Sequence, residues 1–299
     1  MTTRSKGIAL AGVTALISGV AVYVNGFGVA AYGDATAYTT AKNSMAALVI
    51  AAAFLAARPA GARVTRPSRA GQRWGLAFVA VLGGAVPFVL FFEGLATTAS
   101  SQAAFLHKTL VVWVALIAVV ALRERLTWWH LAAIALLAIA QWGLAGDVAL
   151  VADPGTLLIA AATLMWAVEV VVSKRLLGDL TPWTLSLTRM VGGSVALFVW
   201  SAVTGRLGSV IPSTADQWGW VALTGVLLAG YVLTWHQALA RAQAVDVTAV
   251  LVLGALVTAI LAGAIDAAPL AAQVPWLLIL AAGGALVWLA PRLPGRAVT

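Results

Sequence analysis

The stretch SSQAAFLHKTLVVW (residues 100–113) runs on as VALIAVVAL to residue 122, an apolar run long enough to span a membrane as a helix. Yet His107 and Lys108 stand side by side inside it, about two helical turns from its start. A charge at the centre of a bilayer costs about 2.5–3.5 kcal/mol on insertion scales. It persists only where it faces water, a partner or a ligand.

Composition makes hydrocarbon the solvent. The chain is 62% hydrophobic and 9% charged, with a mean hydropathy of +0.99. A soluble domain carries roughly 25% charged residues, so this chain lacks the polar surface to face water and is expected to be an all-α integral membrane protein. Its formal charge of +8 sits in short loops between apolar runs, which points to topology rather than to nucleic acid. The absence of cysteine excludes disulfides, thiolate metal sites and a thiol nucleophile, and leaves the redox compartment open. No convincing cleavage site follows the first apolar run, Gly7 to Val24, so a retained helix is expected there.

Ten spans follow from the hydropathy: 5–27, 35–57, 74–97, 101–122, 127–146, 155–176, 182–205, 216–240, 244–266 and 271–291. The connections are short, except for RPAGARVTRPSRAGQR (58–73), so sequential helices are expected as antiparallel neighbours. With the N-terminus inside, the inner side receives Arg4, Lys6, Arg58, Arg63, Arg66, Arg69, Arg73, Arg123, Arg125, Lys174, Arg175, Arg241, Arg292 and Arg296. The outer side receives Arg206 alone, with Asp34, Asp147, Asp153, Asp216 and Asp266. That bias places both termini in the cytoplasm, in a bacterial-type inner (plasma) membrane.

The two halves resemble each other. A shift of 144 residues lays Gly94-Leu95-Ala96 on Ala238-Leu239-Ala240 and Leu126 on Leu270. Gly33-Asp34 matches Gly178-Asp179, and two inserted residues then bring Lys42 onto Arg189. The expected division is 1–148 and 149–299, five helices each. Five is odd, so the second half starts on the opposite side, giving a 5+5 inverted-topology repeat around a central cavity. Chance matches in Ala/Leu/Gly-rich helices are the competing explanation.

The segment FFEGLATTASSQAAFLHKTLVVWVALIAVVALRERLTWWHLAAIALLAIA (91–140), with this repeat, resembles the EamA branch of the drug/metabolite transporter superfamily. Each half of that family closes with an Ala-Leu-type turn, a helix, an acidic-Leu-Thr element and a last helix. Arg123-Glu124-Arg125-Leu126-Thr127 matches the element, whereas Ala267-Ala268-Pro269-Leu270 has lost its acid and keeps only Asp266 nearby. Arg189 and, more loosely, Lys42 match the family's basic residue near the start of the second helix of each half. Within the family, the chain resembles YddG-type exporters of aromatic amino acids. The resemblance implies an alternating-access exporter of small amphiphilic metabolites, aromatic or hydrophobic amino acids foremost.

The ionisable residues inside the spans are Lys42, Glu93, His107, Lys108, Glu169, Arg189 and His236. Snorkelling to an interface competes with a cavity role for Lys42, Glu93, Arg189 and His236. For the deeper His107, Lys108 and Glu169 the competitor is a structural ion pair. Of the thirteen tryptophans, only Trp113 and Trp166 fall at mid-helix; Trp235 lies one turn from the inner end of its helix, and the other ten sit near helix ends as aromatic belts. Trp166 shares a helix face with Glu169 and Thr163, Tyr231 with Trp235, and Tyr38 with Lys42. Bulky core packing explains such aromatics equally well.

The expected substrate-binding set is Lys42, Asn43, His107, Lys108, Trp113, Trp166, Glu169, Tyr231 and Trp235. Lys108 or His107 would take a carboxylate, Glu169 an ammonium, and Trp113 and Trp166 the side chain. Glu169 and His107 are the candidates for proton coupling. Gly83, Gly84 and Pro87 weaken the third helix and form a candidate hinge, unless the glycines serve close packing. No cofactor, metal or nucleic-acid partner is expected; the partners are a small-molecule substrate and the bilayer, and a monomer is plausible. The sequence shows no nucleotide-binding motif, no HExxH and no GxSxG, against an ATP-driven pump or an intramembrane enzyme. The alternatives are an exporter or facilitator of other metabolites or drugs and, from other classes, an intramembrane enzyme or a channel.

Overall fold

The computed structural model of the protein describes residues 2–98, 100–145, 153–265, 270–290, 293 and 297–298. Asp147, Asp266, Arg292, Arg296, the Ala267–Pro269 departure and the 148/149 division lie outside the described residues.

Nine described helices are long and apolar enough to cross a membrane: α1 (Thr3–Tyr32), α2 (Ala35–Ala57), α3 (Ala70–Leu95), α4 (Phe105–Leu122), α5 (Trp128–Ala145), α6 (Pro154–Leu176), α7 (Pro182–Val203), α8 (Ala215–Leu239) and α9 (Ala244–Ile265). The shorter apolar α10, Val274–Leu289, completes ten. The expected spans hold to within a few residues. The widest miss is the end of α1, which continues to Tyr32 because nothing breaks it before Gly33. There the backbone turns left-handed at φ 67, a conformation glycine adopts freely. Asp34 then starts α2, its Oδ1 accepting from the Ala37 amide at 2.9 Å.

Three expected helices are broken rather than continuous, α3 among them at Ala85. The fourth consists of α4a (Ser100–Lys108) and α4b (Leu110–Leu122), parted at Thr109, whose hydroxyl donates back to the Leu106 carbonyl at 2.6 Å. The ninth consists of α9a (Ala244–Leu251) and α9b (Gly254–Ile265), parted at Val252-Leu253. The same shift of 144 residues carries Thr109 onto Leu253. It also carries the end of α3 onto the end of α8. Ala96 N donates to Phe92 O and Thr97 N to Gly94 O; Ala240 N donates to His236 O and Arg241 N to Ala238 O. The internal repeat is thus present in the backbone.

Contacts sort the helix ends onto two faces. The Arg4 side chain, at the start of α1, bonds Asp246 at the start of α9 and the Val287 carbonyl at the end of α10. Glu124, after α4, bonds the start of α9, and His130, early in α5, lies 3.4 Å from Asp246. Lys174, at the end of α6, bonds the end of α8. Starts of odd helices and ends of even ones therefore share this N-terminal face. On the opposite face, Tyr32 at the end of α1 bonds the Val210 carbonyl after α7, and Gln217 early in α8 bonds the Ala31 carbonyl. The first half begins on one face and the second on the other, which is the inverted 5+5 arrangement.

Candidate functional site

A central cavity holds about 840 Å³ of free space, its mouth included. It is lined from α1, α2, α3, α4, α6, α7 and α8, chiefly by aromatic and aliphatic side chains.

At its end away from the N-terminal face stands Lys42, seven residues into α2, about 10 Å from the helix start. Its ammonium donates to Asn25 Oδ1 at 3.2 Å and lies 4.0 Å from the Phe92 ring centroid, with Tyr38 at 5.1 Å and Phe88 at 5.5 Å. The ring faces hold the cation without neutralising it. None of the ion pairs among the described residues involves Lys42. Tyr38 backs this corner, its hydroxyl 2.8 Å from Asn25 Oδ1 and 3.0 Å from Thr224 Oγ1.

At the end nearer the N-terminal face, Glu169 and Arg189 face each other, Oε2 to Nη1 at 3.6 Å. Glu169 Oε1 accepts from the Ser173 hydroxyl at 2.6 Å, while Oε2 is buried without a hydrogen-bond partner among the described residues. The backbone explains how Arg189 arrives there. Val79–Gly83 in α3 and Thr188–Gly192 in α7 each widen into one π-helical turn, a feature that recurs at functional sites. The widened turn of α3 frees the Gly83 carbonyl, which accepts from Arg189 Nε at 3.2 Å and Trp166 Nε1 at 3.4 Å. Gly84 lets the two turns meet, because a Cβ there would lie 2.0 Å from the Arg189 carbonyl oxygen.

Between the two charged ends lies an aromatic wall. Trp166 packs edge-on against Phe88 at 5.2 Å and His107 at 5.1 Å, and Phe91 joins them at 5.6 Å. Tyr231 and Trp235 stack at 5.9 Å with an 11° tilt. His107 Nδ1 and Trp235 Nε1 are buried and have no hydrogen-bond partner among the described residues. A cavity with unused polar atoms on an apolar wall is built for a ligand that completes them.

Six expected site residues line this one cavity: Lys42, His107, Trp166, Glu169, Tyr231 and Trp235. Three do not. Trp113 is 40% exposed on the outside of α4b. Asn43 is fully buried, its amide donating to the Gly84 carbonyl at 3.2 Å. Lys108 points to another hollow, because neighbours on a helix sit about 100° apart and His107 has taken the central direction. Lys108 and Glu169, expected to face one hollow, thus line different ones, and the base beside Glu169 is Arg189. Asn25, Phe88, Phe91 and Phe92 were missed; an amide inside an apolar run and a phenylalanine cluster were the available signals. Gly83, Gly84 and Pro87 mark a real interruption. Ala85 leaves the helical region at φ −131, ψ −76, and Pro87 opens a new first turn.

The remaining buried charges close the N-terminal face. Glu124, matched to the acidic-Leu-Thr element, accepts from the Ala244 amide at 2.7 Å and the Val245 amide at 3.2 Å, capping α9. Burial raises its carboxyl above the ordinary range, and the two amides with nearby Lys174 pull it back. Lys174, expected in an aqueous loop, instead donates to the Leu239 and Ala242 carbonyls at 2.7 Å each. Asp246, unremarked in the sequence, is fully buried between Arg4 and His130. His236 is buried too, bonded to Ser186 at 2.9 Å. Glu93, at the opposite face, accepts from Thr36 at 2.6 Å and Arg206 at 2.5 Å.

Residues 5–145 and 153–290 each match the EamA-like transporter family. A solved crystal structure superposes with a TM-score of 0.73 over 95% of this chain and 97% of its own, at 17% identity, a likeness of fold. No curated protein matches the chain.

Proposed function

Because the chain belongs to the EamA-like transporter family, we propose that it exports small amphiphilic metabolites by alternating access, with aromatic and hydrophobic amino acids as its best-fitting cargo. One observation carries this choice: the central cavity presents a cation without a carboxylate partner, a carboxylate oxygen without a donor, and an aromatic wall between them. A zwitterion's carboxylate supplies the counter-charge that Lys42 lacks, and its ammonium supplies the hydrogen-bond donor that Glu169 Oε2 lacks beside Arg189. Its side chain lies among Phe91, Trp166 and Trp235. A bare hydrocarbon would leave the Lys42 ammonium without a counter-charge in a dry site.

The basic N-terminal face is cytoplasmic in this proposal, in a bacterial-type plasma membrane, with both termini inside. The N-terminal face is closed by buried bonds, while most of the cavity lining comes from the outer halves of α1, α2, α3 and α4. The conformation is accordingly the outward-facing one. The repeats 1–148 and 149–299 rock against each other, flexing at Gly83, Gly84 and Pro87. Glu169 and His107 are the groups through which a proton gradient would act.

Binding of three related compounds to the purified protein tests the cavity. Phenylalanine should bind saturably. Phenethylamine lacks the carboxylate and 3-phenylpropionate lacks the ammonium, and each should bind at least about 10-fold more weakly, the loss of one charge-assisted contact of about 1.5–3 kcal/mol. Equal binding of all three would refute zwitterion recognition.

A further inference from the structure

The Lys108 hollow carries a second site. It lies between α4a, α5 and α9b, holds about 620 Å³ including its open mouth, and adjoins another space of about 460 Å³. The breaks at Thr109 and at Val252-Leu253 open it, since both interrupted helices border it. Phe105, Lys108 and Gln141 line both spaces. The rest of the larger wall is mostly apolar, with Leu144, Ala259 and Ala262 facing in.

Two polar groups in this hollow are unsatisfied. Lys108 is 7% exposed and takes part in no ion pair among the described residues. Gln141, equally buried, has an Nε2 without a hydrogen-bond partner. Both are donors, and one is charged. The other polar side chains of the larger space, Thr258 and Gln273, are uncharged, so neither supplies Lys108 with a counter-charge. A buried cation and an amide donor that share an apolar hollow call for an anion with an apolar body.

We propose that Lys108 and Gln141 bind the anionic head of an amphiphile, a carboxylate or a phosphate, whose apolar tail occupies the hollow between α4a and α9b. The site is separate from the central cavity. His107 and Lys108 are consecutive residues that face different chambers, and Val22 of α1 lines both. Occupation wedges the outer halves of α4 and α9 apart, on the side of the molecule where the central cavity is reached.

The probe is cis-parinaric acid, a fluorescent polyene carboxylate, titrated into the detergent-purified protein. Saturable fluorescence is expected. Lys108→Met should weaken it at least about 10-fold, Lys108→Arg should restore most of it, and Gln141→Leu should weaken it less than Lys108→Met. Lys42→Met should leave it unchanged while weakening phenylalanine binding by about 10- to 100-fold, which separates this site from the central one. Displacement by decanoate but not by phosphatidylglycerol identifies a free acid as occupant; displacement by phosphatidylglycerol identifies a bilayer lipid. Either supports the site. Absent parinarate binding, binding indifferent to Lys108→Met in a protein that still binds phenylalanine, or loss on Lys42→Met matching that on Lys108→Met overturns it.

Discussion

The two ends of the helix bundle are held by different kinds of bond. At the N-terminal face Arg4 meets Asp246 at 2.9 Å with the aspartate fully buried, Glu124 caps α9, and Lys174 caps α8. At the opposite face Arg206 bridges Glu93 at 2.5 Å and Asp34 at 3.8 Å, with all three side chains between 27% and 39% exposed. An exposed pair contributes about 0–1 kcal/mol, whereas removing one partner of a buried pair costs about 3–5 kcal/mol. One end is therefore a seal and the other a light latch. Arg4 and Glu124 also bond across the two repeats, so opening the sealed end means parting the halves.

Breaking the seal should have the largest effect. Asp246→Ala leaves Arg4 and His130 facing an empty position and is expected to cost about 3 kcal/mol of stability, read as a lowered melting temperature in detergent. The chain has no native cysteine, so Ala242→Cys alone reports the seal with a membrane-impermeant thiol reagent. It should be unreactive in the parent and reactive with Asp246→Ala. Equal reactivity in both would remove the seal from the comparison.

The cavity between the two ends comes next. Lys42→Met should weaken phenylalanine binding by about 10- to 100-fold, a charge-assisted contact of about 1.5–3 kcal/mol. Isothermal titration of the purified variant measures it, and an unchanged affinity would free Lys42 from the substrate role.

Acidity sharpens the comparison at Glu124. Burial raises its carboxyl above the ordinary carboxylate range, so the sealed state holds the proton more tightly than a solvated carboxyl does. Its contribution is fully present below the ordinary carboxylate value and is lost as pH rises through the raised one. Melting temperature against pH should fall across that window in the parent and lose that slope in Glu124→Gln. A slope of the opposite sign would contradict the burial argument.

The smallest effect belongs to the latch. The hydrogen bond from Arg206 to Glu93 raises the arginine further. Arg206→Ala should nevertheless shift stability by less than about 1 kcal/mol, with the shift shrinking at high salt. A loss as large as that of Asp246→Ala would erase the difference between the ends.

Hydropathy and loop charge made the ten helices legible, and five helices per repeat dictated the inversion. The polar lining at Lys42, His107, Trp166 and Glu169 was legible because charge inside an apolar run has few other uses. What escaped depended on the direction of a side chain. His107 and Lys108 are indistinguishable by depth, and only the neighbouring helices decide which chamber each enters. Trp113 sits at mid-helix like Trp166, but lipid and protein core accept the same side chains, so hydropathy does not separate an outward face from an inward one. The breaks at Thr109 and Val252-Leu253 carry no proline, and their only nearby glycine, Gly254, begins the next helix. Asp246 and Lys174 lie near helix ends, where sequence alone reads solvated charge; in the fold those ends pack against one another.

Counterflow through the reconstituted protein tests the central claim most directly. Liposomes preloaded with unlabelled phenylalanine should take up labelled phenylalanine faster than empty ones, saturably, and Lys42→Met and Glu169→Gln should abolish the difference. Uptake that rises linearly with concentration, ignores internal phenylalanine and survives both substitutions would contradict a zwitterion carrier.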